Sequence, residues 1–591
     1  MAGKVLLRLS LGVFAAAAVM GPLADCRAVR GAPPPAVTLL PSETAVVISL
    51  SDATDVAERF KNTAFGRMIQ DPQIRPLVDQ LYKSAAARIE AAQEQIGLSL
   101  SELAAIPQGE VTAAVVLPQE EPPAVVLLLD AGNHLADARQ LMEKAVAALD
   151  RSGARRSEAS VPGTKLTVFE GVGPRNRLLA LFEKDGVIGA SSSLVVLKQI
   201  LAVWDGGQGA TLAGDATFNA LMSHCRGAEG ESPQAIWYAN PIALLEGIAR
   251  NNAGAMMAVS MLPTLGLNGV RAVGGSIALD VGEFDAVTQT HLLLDGSRTG
   301  ALEVLAFGSG SMEPQSWVPA DAAGYTTTHV KPEKIYETVE KLYDGFRGEG
   351  ALAAAMKQRL GRLAEIDFEE EVLPTLDGRL THVVWMERPV TVTSQAQLLA
   401  LGLKDAKLLA TVLDRVVAEN RPFLQERSLG GRVYFQYAPP QLDEQPPRPG
   451  RPRPCFGLLE GNLVVADRPG LYEEAIRTAA DPAKSLAKTA AFRSISEEIR
   501  RRSAKPAMVS FERPQEGLRV AYEGLVAERS QEVLRRRSQN NPFLRTLRTA
   551  LETSPLPPFA VLERYFAPQG AVLTDDASGL HYTGFTLRAK R

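Results

Sequence analysis

The chain has 591 residues, of which 46% are apolar and 22% are charged, a composition typical of folded globular proteins. One hydrophobic core does not grow to this length, so two or more domains are expected. The 63 basic and 67 acidic residues leave a net charge of −4, which gives no indication of a nucleic-acid partner or of a polybasic membrane-binding surface.

Residues 1–28 have the pattern of a signal peptide. Two basic residues precede an uncharged apolar run over residues 9–24, which is short for a transmembrane helix of about 20 residues. Small residues at the right spacing predict cleavage after Ala28. The alternatives are lipid attachment at Cys26, although Asp25 stands where a lipoprotein signal carries a small residue, and a retained N-terminal membrane anchor.

The N-terminal segment therefore predicts an exported protein, either periplasmic or associated with the cell envelope. Residues 29–38 follow it and contain three consecutive prolines. Such a segment is typical of an extended linker.

Six sequence markers then recur in the same order after roughly 270 residues, which is the signature of an internal duplication. For example, LPSETA over 40–45 recurs as VPADAA over 318–323. The duplication predicts two tandem homologous domains, over 39–310 and 311–591. The shared positions are turns and apolar residues rather than reactive groups.

Hydrophobic periodicity predicts the elements of the first copy. They are a strand over 45–50, a helical segment over 55–96, strands over 111–117 and 124–129, a helix over 135–149, strands over 165–169 and 178–190, helices over 194–203 and 217–225, a strand around Ile236, an apolar helix from Ala253, and strands over 272–279 and 286–294. Hairpins outnumber strand–helix–strand units. The predicted class is therefore α+β, with a mainly antiparallel sheet in each domain and helices packed on one face.

The second copy carries a Pro- and Arg-rich insertion over 438–454. Its composition predicts a solvent-exposed hairpin tip, and protein binding is the alternative. The first copy contains an apolar helix from Ala253, before its last two strands. We expect this helix to be buried, and the alternative is an apolar surface at Met256, Met257 and Met261 that contacts a hydrophobic partner or a lipid.

Metal and disulfide patterns are absent from the sequence. The six histidines, which are not at helical spacing from one another, are His134, His224, His291, His329, His382 and His581. The adjacent His224 and Cys225 are interpreted as a helix end without a ligand. Cys225 and Cys455 are predicted to be unpaired thiols, with a disulfide as the alternative. No catalytic residue, metal ligand or cofactor-binding residue is predicted, and no cofactor is expected.

Charged runs in the second copy are also interpreted as structural. The acidic residues 367–371 favour a solvated helix start over a calcium loop. The arginine triplets at 500–502 and 535–537 favour solvated helix faces, because no aromatic residues alternate with them.

The segments LPSETAVVISL, TLAGDATFNAL and IWYANP, with their second copies, resemble the bacterial domain-of-unknown-function family 3352. Its members are exported or membrane-anchored α+β proteins of planctomycetes and cyanobacteria. The final LPPFAVLERYFAPQGAVLTDDASGLHYTGFTLR is similar to the ends of planctomycete members, whereas the insertion before Cys455 departs from the family. The family has no established activity, so the resemblance implies a fold and export and supplies no site residue.

The lack of a reactive constellation favours a non-catalytic binding or structural module, with an envelope protein or a membrane surface as its partner. A hydrolase with a dispersed site is one alternative, and it would show convergent carboxylates or histidines in a pocket. A periplasmic carrier of an apolar ligand is the other. It would show an apolar cavity between the helices and the sheet.

Overall fold

The computed structural model describes residues 32–81, 105–172, 177–227, 232–250, 252–438, 452–539 and 541–590. The predicted signal peptide with Cys26 lies outside the described residues. So do residues 82–104, which include the last part of the predicted helical segment over 55–96, and most of the Pro-rich insertion.

The described residues form twenty strands. Those of the first half are β1 Thr44–Leu50, β2 Val111–Val116, β3 Ala124–Asp130, β4 Arg155–Val161, β5 Thr164–Val172, β6 Arg177–Lys184, β7 Val187–Ser191, β8 Ala235–Ala239, β9 Val270–Val281 and β10 Phe284–Leu294. Those of the second half are β11 Gly324–His329, β12 Leu376–Met386, β13 Gln395–Leu403, β14 Leu424–Leu429, β15 Arg432–Tyr437, β16 Cys455–Leu459, β17 Asn462–Ala466, β18 Met508–Glu512, β19 Gln569–Asp576 and β20 Gly579–Leu587.

Helices alternate with these strands in both halves. In the first half they are α1 Ala53–Asn62, α2 Ala64–Ile69, α3 Leu135–Arg151, α4 Leu194–Trp204, α5 Ala216–Cys225, α6 Pro241–Ala249 and α7 Ala253–Met261. In the second half they are α8 Pro332–Arg347, α9 Ala351–Leu360, α10 Ala406–Glu419, α11 Pro469–Ala480, α12 Ala490–Arg502, α13 Pro514–Val526, α14 Glu528–Ser538, α15 Pro542–Thr553 and α16 Phe559–Glu563. In the part of the chain that the structure describes, none of them has the length and apolar character needed to cross a bilayer.

All twenty strands belong to one antiparallel sheet. The strand pairings give the order β4-β5-β6-β7-β3-β2-β1-β8-β9-β10 for the first half. The second half has the order β14-β15-β16-β17-β13-β12-β11-β18-β19-β20, which is the same arrangement. The α+β class and the antiparallel sheet are therefore as predicted.

The two halves join through their last strands. β10 and β20 pair antiparallel along their length, with His291 opposite His581 and Val287 opposite Phe585. We call this β10–β20 pairing the seam. It makes the sheet continuous and places both last strands at its centre.

Helices cover both faces of the sheet, so the prediction that they pack on one face is wrong. The largest core of the first half lies against α4 and α5 and includes Phe182. A smaller cluster on the other face contains Leu181 and packs against Met142 and Val146 of α3. Successive side chains of a strand point to opposite faces. The uninterrupted apolar run of β6 therefore needs helices packed on both faces of the sheet.

The helix starts follow from short polar side chains. The Asp215 carboxylate accepts a hydrogen bond from the Phe218 amide at 2.7 Å and begins α5. At the start of α12, Thr489 Oγ1 accepts from the Phe492 amide at 3.2 Å. Both contacts satisfy an amide that the first helical turn leaves without a backbone partner.

Candidate functional site

An apolar pocket of about 330 Å³ lies in the second half, between the sheet and two helices. Leu380 of β12 and Leu401 of β13 form its floor. Ile335 and Val339 of α8 and Met356 of α9 form its roof. A pocket between helices and sheet that is lined by aliphatic side chains is suited to an apolar ligand.

The roof exists because α8 does not bury its apolar face. Only Thr338 of this helix is buried. Val339, Tyr343 and Phe346 are 38%, 37% and 57% exposed. Their i, i+4, i+7 spacing puts these three side chains on one face. An apolar stripe therefore leads from the pocket along α8 to the solvent.

Aromatic side chains form one wall of the pocket, and acidic residues lie next to it. The Tyr336 and Phe368 rings both line it, with centroids 5.6 Å apart. Phe368 begins a single helical turn that Asp367 caps, because its carboxylate accepts from the Glu369 and Glu370 amides at 3.0 Å. Burial and the nearby carboxylates, first among them Glu369, raise the pKa of Tyr336. The acidic run is thus a helix start, as predicted, and it stands beside the pocket.

The lining residues offer no set of catalytic groups. They include no histidine, cysteine, aspartate or glutamate among the described residues. Arg379 is the one charged residue of the lining. Its guanidinium donates to the Glu313 carbonyl oxygen at 2.5 Å and to Tyr325 Oη at 3.3 Å. The Arg379 guanidinium is therefore hydrogen-bonded within the protein, and the remaining surface of the pocket is mainly apolar.

The corresponding place in the first half lies on β2 and β3. Val125 and Leu127 of β3 are 41% and 45% exposed there. Residues 82–104 of the first half lie outside the described residues.

A smaller polar pocket of about 200 Å³ lies on the seam. Thr288, Ser510, Glu512 and Tyr582 are among its lining residues. Burial and the Glu512 charge raise the pKa of the Tyr582 hydroxyl.

Three histidines meet on the opposite face of the seam. The rings of His224 and His291 are stacked, with centroids 4.0 Å apart and planes 3° from parallel. The His581 ring centroid is 5.7 Å from that of His291 and 6.4 Å from that of His224. Within the described ranges, no three His, Cys, Asp or Glu side chains are arranged to hold a metal ion.

Sequence reasoning missed this cluster. It interpreted His224 as an ordinary helix end, whereas the helix end lies over two histidines from distant parts of the chain. No local spacing signals such a meeting, because the register of β10 on β20 creates it.

No protein-family model, no curated protein and no solved structure matches this chain. The roles of the pocket, of the histidine cluster and of the residues named from the sequence therefore rest on the geometry of this chain alone.

The methionine helix α7 forms as predicted, but the expectation that it is buried is wrong. It has no buried residue. Met256 and Met257 are 58% and 68% exposed, and Met261 is half-buried. Apolar residues lie all round this short helix, so no periodicity selects a face for the core. It packs against α6.

The two cysteines in the described residues, Cys225 and Cys455, are free and buried, which confirms the prediction of unpaired thiols. Burial raises the pKa of each thiol to about 12.

The arginine triplet over 500–502 is only partly solvated, so that interpretation is wrong for Arg502. Its side chain is 7% exposed and lies 2.8 Å from the Glu498 carboxylate. Its guanidinium carbon is 5.1 Å and 5.2 Å from the ring centroids of Phe284 and Phe585. Cation–π contact with desolvated rings stabilises such a buried charge.

Proposed function

We propose that the protein is a non-catalytic binding module of the cell envelope that takes an apolar ligand in the pocket beneath α8 and α9. The pocket itself carries this proposal: its volume of about 330 Å³ is bounded almost entirely by aliphatic and aromatic side chains. Burial of a ligand methylene group contributes about 0.8 kcal/mol. A single acyl chain that buries about ten methylenes would gain about 8 kcal/mol before association costs, so micromolar binding is the tightest expected.

The route into the pocket supports the same ligand class. The exposed stripe of Val339, Tyr343 and Phe346 continues the apolar surface from the pocket outward. A flexible chain can follow such a stripe with little loss of apolar contact. The stripe also offers a contact surface for the envelope protein or membrane that delivers the ligand.

A tandem duplication of one α+β unit is part of the proposal. Identical strand order in the two halves supports it. The six recurrent sequence markers support it independently. Export through the N-terminal segment and membership of family 3352 remain predictions from the sequence.

The experiment uses the mature chain over residues 29–591 and a fluorescent long-chain fatty acid as the probe. We expect saturable binding to the unsubstituted protein, with a Kd no tighter than micromolar. In the Leu401→Trp variant the indole fills the floor of the pocket, and the affinity falls at least tenfold.

The matched control is Leu399→Trp. Leu399 is two residues away on the same strand face, is 46% exposed and does not line the pocket. Unchanged binding in this variant supports the assignment to the pocket. Absence of saturable binding in the unsubstituted protein, or equal loss in both variants, overturns the proposal.

A further inference from the structure

The seam brings titratable side chains of both halves into contact. His291 comes from the last strand of the first half, His581 from the last strand of the second half, and His224 from the end of α5. His291 is fully buried. A change of charge on these rings therefore alters the interactions between the two halves.

The neutral rings leave polar atoms without partners. Nδ1 of His291, Nδ1 of His581 and Oε1 of Gln289 are buried and have no hydrogen-bond partner. The other ring nitrogens have weak contacts: His291 Nε2 is 3.4 Å from Ser578 Oγ, and His581 Nε2 is 3.1 Å from Thr583 Oγ1. A protonated ring must donate from both nitrogens. In the part of the chain that the structure describes, no acceptor reaches the buried Nδ1 atoms.

Charge on two of the rings is strongly opposed. Two imidazolium ions stacked at 4.0 Å repel each other in a partly desolvated place. Burial, followed by the charges of His224 and His581, lowers the pKa of His291 to about 4. Burial and the charge of His224 likewise lower the pKa of His581.

The surrounding elements offer one nearby carboxylate. Asp576, the last residue of β19, accepts from the Ser578 amide at 2.7 Å and from Ser578 Oγ at 2.5 Å. Its charge favours protonated histidine but does not outweigh burial and mutual repulsion. The neighbouring Asp575 is paired with Arg298, and the Cys225 thiol on α5 stays neutral.

The equivalent positions at the other end of the seam carry different side chains. Gly274 of β9 is opposite His291, and Gly570 of β19 is opposite Phe585. There Arg502 lies between Glu498 and two phenylalanine rings. Histidines therefore meet at one end of the seam, and an arginine–glutamate pair lies at the other.

We propose that the cluster of His224, His291 and His581 makes the seam a pH-sensitive junction, whose β10–β20 pairing weakens at the histidine end when the surroundings become acidic. In the closed seam, burial and the stacked rings hold the pKa values of His291 and His581 below their ordinary range. Local opening separates the rings and returns them to water, so they bind protons more readily in the open state. Acid therefore favours local opening.

Hydrogen exchange of the mature chain tests this proposal, with rates corrected for their intrinsic dependence on pH. We expect protection of the amides over 290–293 and 580–583 to fall at least tenfold between pH 7.5 and 5. Protection of the amides around Phe284 and Phe585 should change less than threefold.

Two variants test the role of the cluster. His224→Gln removes one ring of the cluster, and the circular dichroism of this variant should match that of the unsubstituted chain. We expect its acid-induced loss of amide protection to be at least threefold smaller. His382→Gln is the control, because His382 contacts Gln397 on a distant strand. The proposal is overturned if His224→Gln and His382→Gln behave alike, if protection falls equally across the whole sheet, or if added Zn²⁺ at pH 7.5 raises protection at the cluster.

Discussion

Gly274 and Gly570 lie at corresponding places in the two halves, each directly beneath a helix. A Cβ on Gly274 would be 2.7 Å from a methyl carbon of Leu221 on α5. A Cβ on Gly570 would be 2.6 Å from a methyl carbon of Ile495 on α12. Such distances are shorter than van der Waals contact, so both helices approach the sheet only where the strand carries glycine.

Gly570→Ala should therefore destabilise the protein by about 2 kcal/mol, because overpacking in a core costs 1–3 kcal/mol. Gly345→Ala is the control. A Cβ there meets nothing within 4 Å, and the position is inside α8. This second variant should be stabilised by about 0.5 kcal/mol or more. Urea denaturation measures the free energy of unfolding of both variants. Equal changes would show that the close approach of α12 to the sheet does not require Gly570.

Arg502→Met should lower the free energy of unfolding by about 2 kcal/mol. The substitution removes the contact with two aromatic rings and leaves Glu498, which is 13% exposed, without this partner. Arg501→Ala is the matched control, because the Arg501 side chain is 73% exposed. Its effect should stay within about 0.5 kcal/mol. Similar losses in the two variants would contradict a role for Arg502 in the seam.

Asp71 links the halves at a second place, and its contribution should depend on pH. Its side chain is buried and accepts hydrogen bonds from Tyr565 and Arg564 of the second half. The Tyr565 hydrogen bond, more than the Arg564 charge, holds the pKa of Asp71 below 3.8. A carboxyl with a lowered native pKa stabilises the fold above its unfolded pKa and loses that effect as the pH falls through the native pKa.

Asp71→Asn should thus cost about 1 to 2 kcal/mol at pH 7 and progressively less below pH 4. Asp79→Asn serves as the comparison, because Asp79 is 58% exposed and lies 3.9 Å from Arg75. Denaturant midpoints measured from pH 7 to pH 2.5 check the trend. A constant difference between Asp71→Asn and the unsubstituted protein over this range would refute the linkage.

Local elements of the fold could be predicted wherever the apolar pattern was clear. Helix α4 was predicted over 194–203 and runs over Leu194–Trp204. Strand β4 was missed, because Arg155–Val161 is polar and mostly exposed and carries no apolar alternation. Edge strands are commonly polar, since charged side chains discourage pairing with another chain.

Long-range features could not be predicted in the same way. The pocket depends on the distance between α8 and β12, which no local pattern encodes. The histidine cluster depends on the register of two strands far apart in sequence. A shift of β20 by one residue along β10 would place His581 on the face opposite to His291.

The central position of β20 has a consequence for how the chain acquires its structure. β20 follows every other described strand in the sequence, yet it pairs with β10 on one side and β19 on the other. Until Gly579–Leu587 has been synthesised, both neighbours present open backbone edges. The two halves can therefore pair through the seam only after all twenty described strands have been synthesised, so this contact forms late and between segments far apart in sequence.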